Sequence, residues 1–332
     1  MRLLITGGCG FIGSNFINHY FYKNSDLKLI NLELLINIDA LYYCANIENV
    51  NQDIRNNSKY KFIKGNLQSF DLINHIINDY QITHIIHFAA QSHVDNSFTN
   101  SIQYTLDNIV GTHNLLEVCR IYGKIKKFIH VSTDEVYGES MLDRNEKHKT
   151  EESILCPTNP YAATKAGAEL LAQSYHHSFN LPIIITRGNN VYGKNQYPEK
   201  LIPKFIKLLK EDKCVTIQGD GSSVRSFLHI SDVVNAFEII LDRGIIGEIY
   251  NIGCDENMEY SVMDIAKILI KNIKNIKNIK NIKNSDDYHK YIEYIEYIED
   301  RPFNDKRYYI SNQKLKDLGW EIKINLLEGI LL

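Results

Sequence analysis

Residues 6–13, TGGCGFIG, follow at once on the apolar run RLLI and lead into FIGSNFINHYFYK, a stretch with helical spacing. Glycines at Gly7, Gly10 and Gly13 allow a tight strand-to-helix turn. There the backbone can approach a pyrophosphate, and the helix N-terminus favours the anion. A glycine trio in a loop needs no ligand by itself. Its place at the very first strand-to-helix turn gives it weight, because the segments after it alternate in the same way. LLINID, YKFIKGN, THIIHFAA, KKFIHVST and LPIIITRG read as short apolar strands. Between them lie amphipathic stretches such as FDLINHIINDY, SIQYTLDNIVGTHNLLEVCRIYG and PYAATKAGAELLAQSYHHSF. Such alternation predicts parallel β-α-β units with both faces of the sheet covered.

The expected fold class is therefore α/β, a Rossmann-type doubly wound parallel sheet with a smaller C-terminal substrate-binding lobe. We expect residues 1–190 to form the dinucleotide-binding domain and to carry the catalytic residues. Residues 191–332 are expected to form mainly the lobe, with some segments returning to the first domain. Within 28–39, KLINLELLINID reads as one strand written twice, which leaves the second strand's register open. Two tracts with a three-residue period follow later, NIKNIKNIKNIKN (272–284) and YIEYIEYIE (291–299). A period of three matches neither helix nor strand, so both are read as repeat expansions. The first is expected to be a helix extension or mobile loop, and the end of the second a strand.

At 332 residues with a net charge of −3, the chain has room for a large core and no electrostatic case for nucleic acid or an anionic membrane. Glycines interrupt the N-terminal apolar run and no small-residue cleavage site follows, so it is read as a strand rather than a signal peptide. No 18-residue apolar stretch is present. Six scattered cysteines without a C-x-x-C pair fit reduced packing residues of a cytoplasmic protein, and no metal is expected.

Three features carry chemistry. A carboxylate after the second strand would accept the adenosine ribose hydroxyls and repel a 2′-phosphate, favouring NAD over NADP. Asp39 is preferred there over Glu33. YAATK places Tyr161 and Lys165 four apart, on one face of a helix opened by Asn-Pro. A lysine ammonium beside the phenol would lower its pKa and make it a base for a substrate hydroxyl. HVSTDEVYG ends an apolar strand on Thr133, Asp134 and Glu135. In an extended strand Asp134 would face away from its two neighbours, so all three can meet one substrate only if the chain leaves strand geometry at about Asp134. STDE would also make a good helix capping box, a purely structural role.

These motifs, with HFAAQSHVDNSF, PTNPYAATKAGAE, NVYGKNQYPEKLIPKF, GEIYNIG and DRPFNDKRY, resemble the extended short-chain dehydrogenase/reductase superfamily. Within it the chain looks like the nucleotide-sugar 4,6-dehydratases that act on dTDP-glucose or UDP-glucose. The resemblance runs over nearly the whole length. The Thr-Asp-Glu triplet is its most diagnostic part, since related epimerases and decarboxylases lack the full Asp-Glu pair. It implies an NAD-dependent lyase of deoxysugar (for example rhamnose) synthesis that makes a 4-keto-6-deoxy sugar nucleotide and water. Tyr161 would take the O4 proton as C4 is oxidised, and Thr133 would steady O4. Glu135 would remove the C5 proton, and Asp134 would protonate the departing C6 hydroxyl.

The resemblance also implies a cofactor cleft made by Gly7, Gly10, Phe11, Ile12, Gly13, Asp39, Asn66, Leu67, Ala89, Ala90, Tyr161 and Lys165. It places His93, Asn190, Glu199, Lys200, Arg225 and Arg301 at the substrate, with Asp95 nearby. A homodimer is implied, paired through helices at 101–122 and 161–179. Asn66 stands where the family usually has Asp, and Tyr260 where the commoner bacterial pattern has Asn. The alternatives are a 4-epimerase or decarboxylase on the same fold, or a non-catalytic dinucleotide-binding sensor.

Overall fold

The structure is a computed structural model describing residues 1–27, 32–140, 147–256, 258–274, 289–300 and 305–331. Seven strands form the central sheet: β1 (Arg2–Thr6), β2 (Leu34–Asp39), β3 (Tyr60–Lys64), β4 (His84–His87), β5 (Lys127–Thr133), β6 (Ile183–Gly188) and a late strand, Ile249–Ile252. Their spatial order is β3-β2-β1-β4-β5-β6 followed by Ile249–Ile252, and every pairing is parallel. The order reverses between β1 and β4, the switch point at which such sheets bind ligands.

Two apolar layers cover the sheet. On one face the helices Phe11–Leu27 and Ile230–Arg243 pack together, with Phe16, Phe237 and Trp320 in the core. On the other lie Phe70–Asp79, Gly111–Tyr122 and Pro160–Phe179, around Ile76, Leu115 and Phe128. Ile249–Ile252 and Ile230–Arg243 thus come from beyond residue 190 and pack with the first part of the chain. The expected helix at 101–122 is interrupted: a π-helical turn, Thr105–Val110, separates Ser101–Tyr104 from Gly111–Tyr122.

The second body is a smaller lobe. Its strands are β7 (Asn190–Tyr192), β8 (Val215–Gln218), β9 (Val224–His229), β11 (Glu259–Ser261) and β12 (Ile295–Ile298), whereas β10 in chain order is the central-sheet strand Ile249–Ile252 above. β7 and β11 flank β9, and β12 pairs parallel with β8. Helices Leu201–Lys210 and Val262–Ile273 close over Phe205, Ile217, Leu269 and Tyr291.

β2 uses the second copy of the duplicated segment, so Asp39 ends the strand and Glu33 precedes it, salt-bridged to the N-terminal amine. The end of the second repeat tract is the strand β12. The first tract lies outside the described residues beyond Lys274, apart from the last turn of Val262–Ile273.

Candidate active site

Register explains how the triplet is presented. β5 and β6 align Thr133 with Gly188, so Asp134 and Asn189 leave the sheet side by side. Thr133 is extended (φ −141°, ψ 155°), and Asp134–Tyr137 then wind into a 3₁₀ turn. The chain thus leaves strand geometry at Asp134, as three converging side chains require. The Thr133 hydroxyl accepts from Glu135 N (3.4 Å), so a capping bond coexists with the chemical grouping. Thr133, Asp134, Glu135 and Tyr161 line one cavity of about 170 Å³.

The two acids have different surroundings. Asp134 is buried; its Oδ1 accepts from Thr133 Oγ1 (3.1 Å) and its Oδ2 from Asn189 Nδ2 (2.6 Å). Burial, then the Glu135 charge, push its pKa up to about 7, against the pull of these donors. Glu135 is also raised by burial, while Asn159 Nδ2 (3.0 Å to Oε2), Lys200 and Arg225 favour its charged form. At neutral pH this arrangement offers one carboxyl able to give a proton and one better placed to take one.

Tyr161 and Lys165 lie on the helix Pro160–Phe179, whose N-cap Asn159 accepts from Ala162 N (2.9 Å). One expectation is corrected here. The Tyr161 phenol is held above its ordinary value by burial and the Glu135 charge, not lowered by Lys165. The Lys165 ammonium donates to Val131 O at 2.5 Å and is pushed down to about 8 by burial. One turn on, Glu169 forms a fully buried ion pair with Arg187 (Nε to Oε1, 3.1 Å), anchoring the helix to β6.

The glycine turn, Asp39, Asn66, Leu67, Ala89, Ala90, Tyr161 and Lys165 line a second cavity of about 260 Å³. Gly7 has φ +72°, and a Cβ there would stand 2.7 Å from Ala89 N. A Cβ on Gly13 would reach 2.5 Å from Gly7 O. Both positions therefore need glycine to bring β1, the helix and the β4 loop together. Asp39 accepts from Cys9 N (2.9 Å) and Leu41 N (2.8 Å), one per oxygen, leaving each oxygen a lone pair for a ribose hydroxyl. A cleft with this turn, an acceptor carboxylate and a tyrosine–lysine pair at its far end fits a dinucleotide. At Asn66, Nδ2 donates to Tyr42 OH (2.8 Å) and Oδ1 accepts from Gln68 N (2.8 Å).

The third cavity, about 190 Å³, runs between the sheet and the lobe and is lined by His93, Asp95, Glu135, Asn190, Glu199, Lys200 and Arg225. His93 Nε2 lies 3.9 Å from Asp95 Oδ2, and burial and Lys200 hold the imidazole toward its neutral form. Glu199 accepts from Tyr43 OH (2.9 Å). Lys200 Nζ donates to Ser92 O (2.7 Å), and the Arg225 guanidinium lies 5.1 Å from the centre of the Tyr308 ring. Arg301 falls outside the described residues. Lys200 and Gln196 line all three cavities, which therefore meet beside these two side chains, and Glu135 lines two of the three.

Residues 4–331 match the model of the GDP-mannose 4,6-dehydratase family. The chain belongs to that family. Its relatives include a trifunctional UDP-glucose 4,6-dehydratase/3,5-epimerase/reductase of Arabidopsis thaliana, 48% identical over 99% of this chain and 46% of that protein. The chain thus spans about half the length of these plant relatives. The dTDP-D-glucose 4,6-dehydratase of Dictyostelium discoideum is 47% identical over 99% of this chain and 80% of its own length. Among solved structures, the dTDP-glucose 4,6-dehydratase DesIV of Streptomyces venezuelae, with NAD bound, aligns with a TM-score of 0.88. It is 32% identical, over 99% of this chain and 94% of that one. The family and the α/β fold expected from the sequence are both met.

Several side chains at this site are not singled out by the sequence. Asn189 grips Asp134, Asn159 grips Glu135, and Tyr308 OH stands 3.5 Å from Glu135 Oε2. Asn159 carried a signal, since Asn before Pro marks a helix start and hence a side chain aimed back at the turn. Asn189 sits in GNN beside the chosen Asn190, and only strand register tells which amide faces Asp134. Tyr308, bonded also to Asp305, ends the motif DRPFNDKRY more than 170 residues downstream of Glu135, and only the fold brings it to that carboxyl.

Proposed function

We propose that this chain is an NAD-dependent nucleotide-glucose 4,6-dehydratase, a hydro-lyase converting UDP-glucose or dTDP-glucose to the 4-keto-6-deoxy sugar nucleotide and water. The observation that carries the reading is the convergence of Thr133, Asp134, Glu135 and Tyr161 on one cavity beside the dinucleotide-shaped cleft. Bound NAD supplies a hydride acceptor at C4, a hydride donor to C6, and a positive ring charge that favours the Tyr161 phenolate. Lys165 adds charge behind that phenol. Tyr161 takes the O4 proton, with Thr133 holding O4. The C4 ketone acidifies C5–H, and Glu135 removes that proton. Asp134, which burial keeps partly protonated at neutral pH, gives its proton to the departing C6 hydroxyl. Each positioned proton transfer contributes about 10²–10⁴-fold. A 4-epimerase has no use for the two carboxyls, so their pairing favours dehydration.

In this reading residues 1–190 hold NAD and the catalytic groups, and 191–332 chiefly hold the nucleotide-sugar. Arg225 and Arg301 would take the diphosphate, because a guanidinium forks onto phosphate oxygens; His93, Asn190, Glu199 and Lys200 would line the sugar channel. A homodimer is proposed through the helical stretch 101–122 and Pro160–Phe179. Ile102, Leu106 and Val110, spaced by four, and Leu170 are exposed apolar residues on those elements. The six free cysteines fit a cytoplasmic setting, and no described helix is long and apolar enough to cross a membrane. The test is incubation with UDP-glucose and dTDP-glucose separately, with mass detection of a product lighter by one water. No such product from either overturns the reading.

A further inference from the structure

Glu135 has to be held in place and yet stay a strong enough base to take a proton from carbon. Asn159 does the holding, its Nδ2 donating to Oε2 at 3.0 Å. A second donor group, the Tyr308 hydroxyl, stands 3.5 Å from the same oxygen. A phenol donating there would stabilise the carboxylate and weaken it as a base.

The fold sends that proton elsewhere. Tyr308 has one hydroxyl hydrogen, and Asp305 Oδ2 is the nearer of its two carboxylate acceptors. Asp305 Oδ1 accepts from Thr158 Oγ1 at 2.7 Å, which ties the acid to the residue just before Asn159. Asp305 is 3% and Tyr308 5% exposed. The two residues between them are fixed by backbone bonds, from Val224 N to Lys306 O (2.8 Å) and from Ser140 N to Arg307 O (2.9 Å). The charged and titratable groups that act on Glu135 are Asp134, Tyr161, Lys200, Arg225, Asp305 and Tyr308. Burial holds Glu135 above its ordinary value, and the Asp305 charge acts in the same direction. The Tyr308 phenol is held above its own ordinary value by burial and then by the Glu135 and Asp305 charges, so it keeps its proton.

We propose that Asp305 is a positioning residue for the C5 deprotonation: by accepting the Tyr308 hydroxyl proton it keeps a second donor off Glu135 and so preserves the base. With Asp305 in place, the Tyr308 oxygen turns a lone pair, not its proton, toward Glu135 Oε2. Without Asp305, the hydroxyl rotates onto Oε2, which then carries two donors. The proposal rests on the dehydratase reading.

The test compares Asp305→Ala, which frees the Tyr308 hydroxyl, with Asp305→Ala plus Tyr308→Phe, which removes the freed donor. Both are followed by exchange of the C5 hydrogen in deuterated water and by pH–rate profiles at saturating nucleotide-glucose. Asp305→Ala is expected to slow the exchange by about 10-fold, as a weaker base does. Its acid limb, where Glu135 gives up its proton, should move to lower pH. The double variant should bring that limb back toward its wild-type position, a recovery that mere damage to packing would not show. An unmoved limb in Asp305→Ala, or one that the second substitution does not bring back, overturns the proposal. If Asp305→Ala does not fold, Tyr308→Phe alone decides. With the phenol proton on Asp305 its loss leaves the acid limb where it was, whereas a limb that moves to higher pH shows Tyr308 donating to Glu135 and overturns the proposal. If the unaltered protein dehydrates neither nucleotide-glucose, it is the dehydratase reading that fails.

Discussion

Asp134 works against folding at the pH where it would work in catalysis. Its pKa, about 7 in the folded chain, exceeds the ordinary carboxyl value of 3.8, so the folded state holds the proton more tightly than the unfolded one. Stability from this group is complete below about pH 4 and falls as pH rises through about 7, by about 4 kcal/mol. Asp134→Asn removes the titration while its carbonyl can still accept from Asn189. We expect that variant to melt higher than wild type at pH 8, with the gap closing near pH 4, in thermal scans at both values. Turnover of the wild type should decline above about pH 7 as the acid ionises, in a pH–rate profile at saturating substrate. The sequence placed the two acids at a strand end and required a bend at Asp134. The resemblance named Asp134 as the acid, but the residues alone did not show what sets the two carboxyls apart, because Asn189 and Asn159 reach the pair through register and helix docking rather than through neighbouring positions.

At the scale of single elements, two short signals proved readable because each is a local constraint. The glycine turn is legible since Gly7 and Gly13 leave no room for a Cβ. Gly13→Ala sets a methyl against Gly7 O and is expected to abolish NADH binding, followed by the fluorescence of the nicotinamide, while Gly123→Ala, strained at φ +68° but outside the cleft lining, should lower stability and leave binding intact. The helix Pro160–Phe179 is legible from Asn159-Pro160. Asn159→Ala loses both the cap and the Glu135 contact, so a loss of about 1 kcal/mol in chemical denaturation should accompany a slower C5 proton exchange in deuterated water. Less legible was the helical stretch 101–122, where helical spacing gave no warning of the π turn at Thr105–Val110. That turn lets Asp107 accept side-chain bonds from Tyr42, Gln68, Gln91 and Gln103 at the cofactor cleft. Four donors from three separate loops and the helix itself shape the element there, which no window of sequence contains.

For the molecule as a whole, the strand-helix alternation foretold a parallel sheet, because buried parallel strands must be continuously apolar and must be joined by crossovers. The late return of Ile249–Ile252 to the sheet edge and of Ile230–Arg243 to its face could only be anticipated in outline, since it depends on long-range packing around Phe16 and Trp320. The proposed pairing of two copies also belongs to this scale. Charging its apolar faces, as in Ile102→Glu with Leu170→Glu, should yield a monomer by sedimentation, and an unchanged mass would rule these faces out as the interface.

β12 carries a last consequence. It is drawn from three identical Tyr-Ile-Glu units, and its four residues, Ile295–Ile298, repeat the tetrapeptide that begins at Ile292. Sliding the tract by one unit along β8 therefore offers β8 the same side chains in the same order. A gene that gains or loses a unit changes only the length of the adjoining connection, leaving the strand chemically interchangeable with its predecessor. Copy number at this locus can thus drift without erasing the lobe's edge, and the lobe owes that tolerance to a monotony that elsewhere in a protein would leave register undefined.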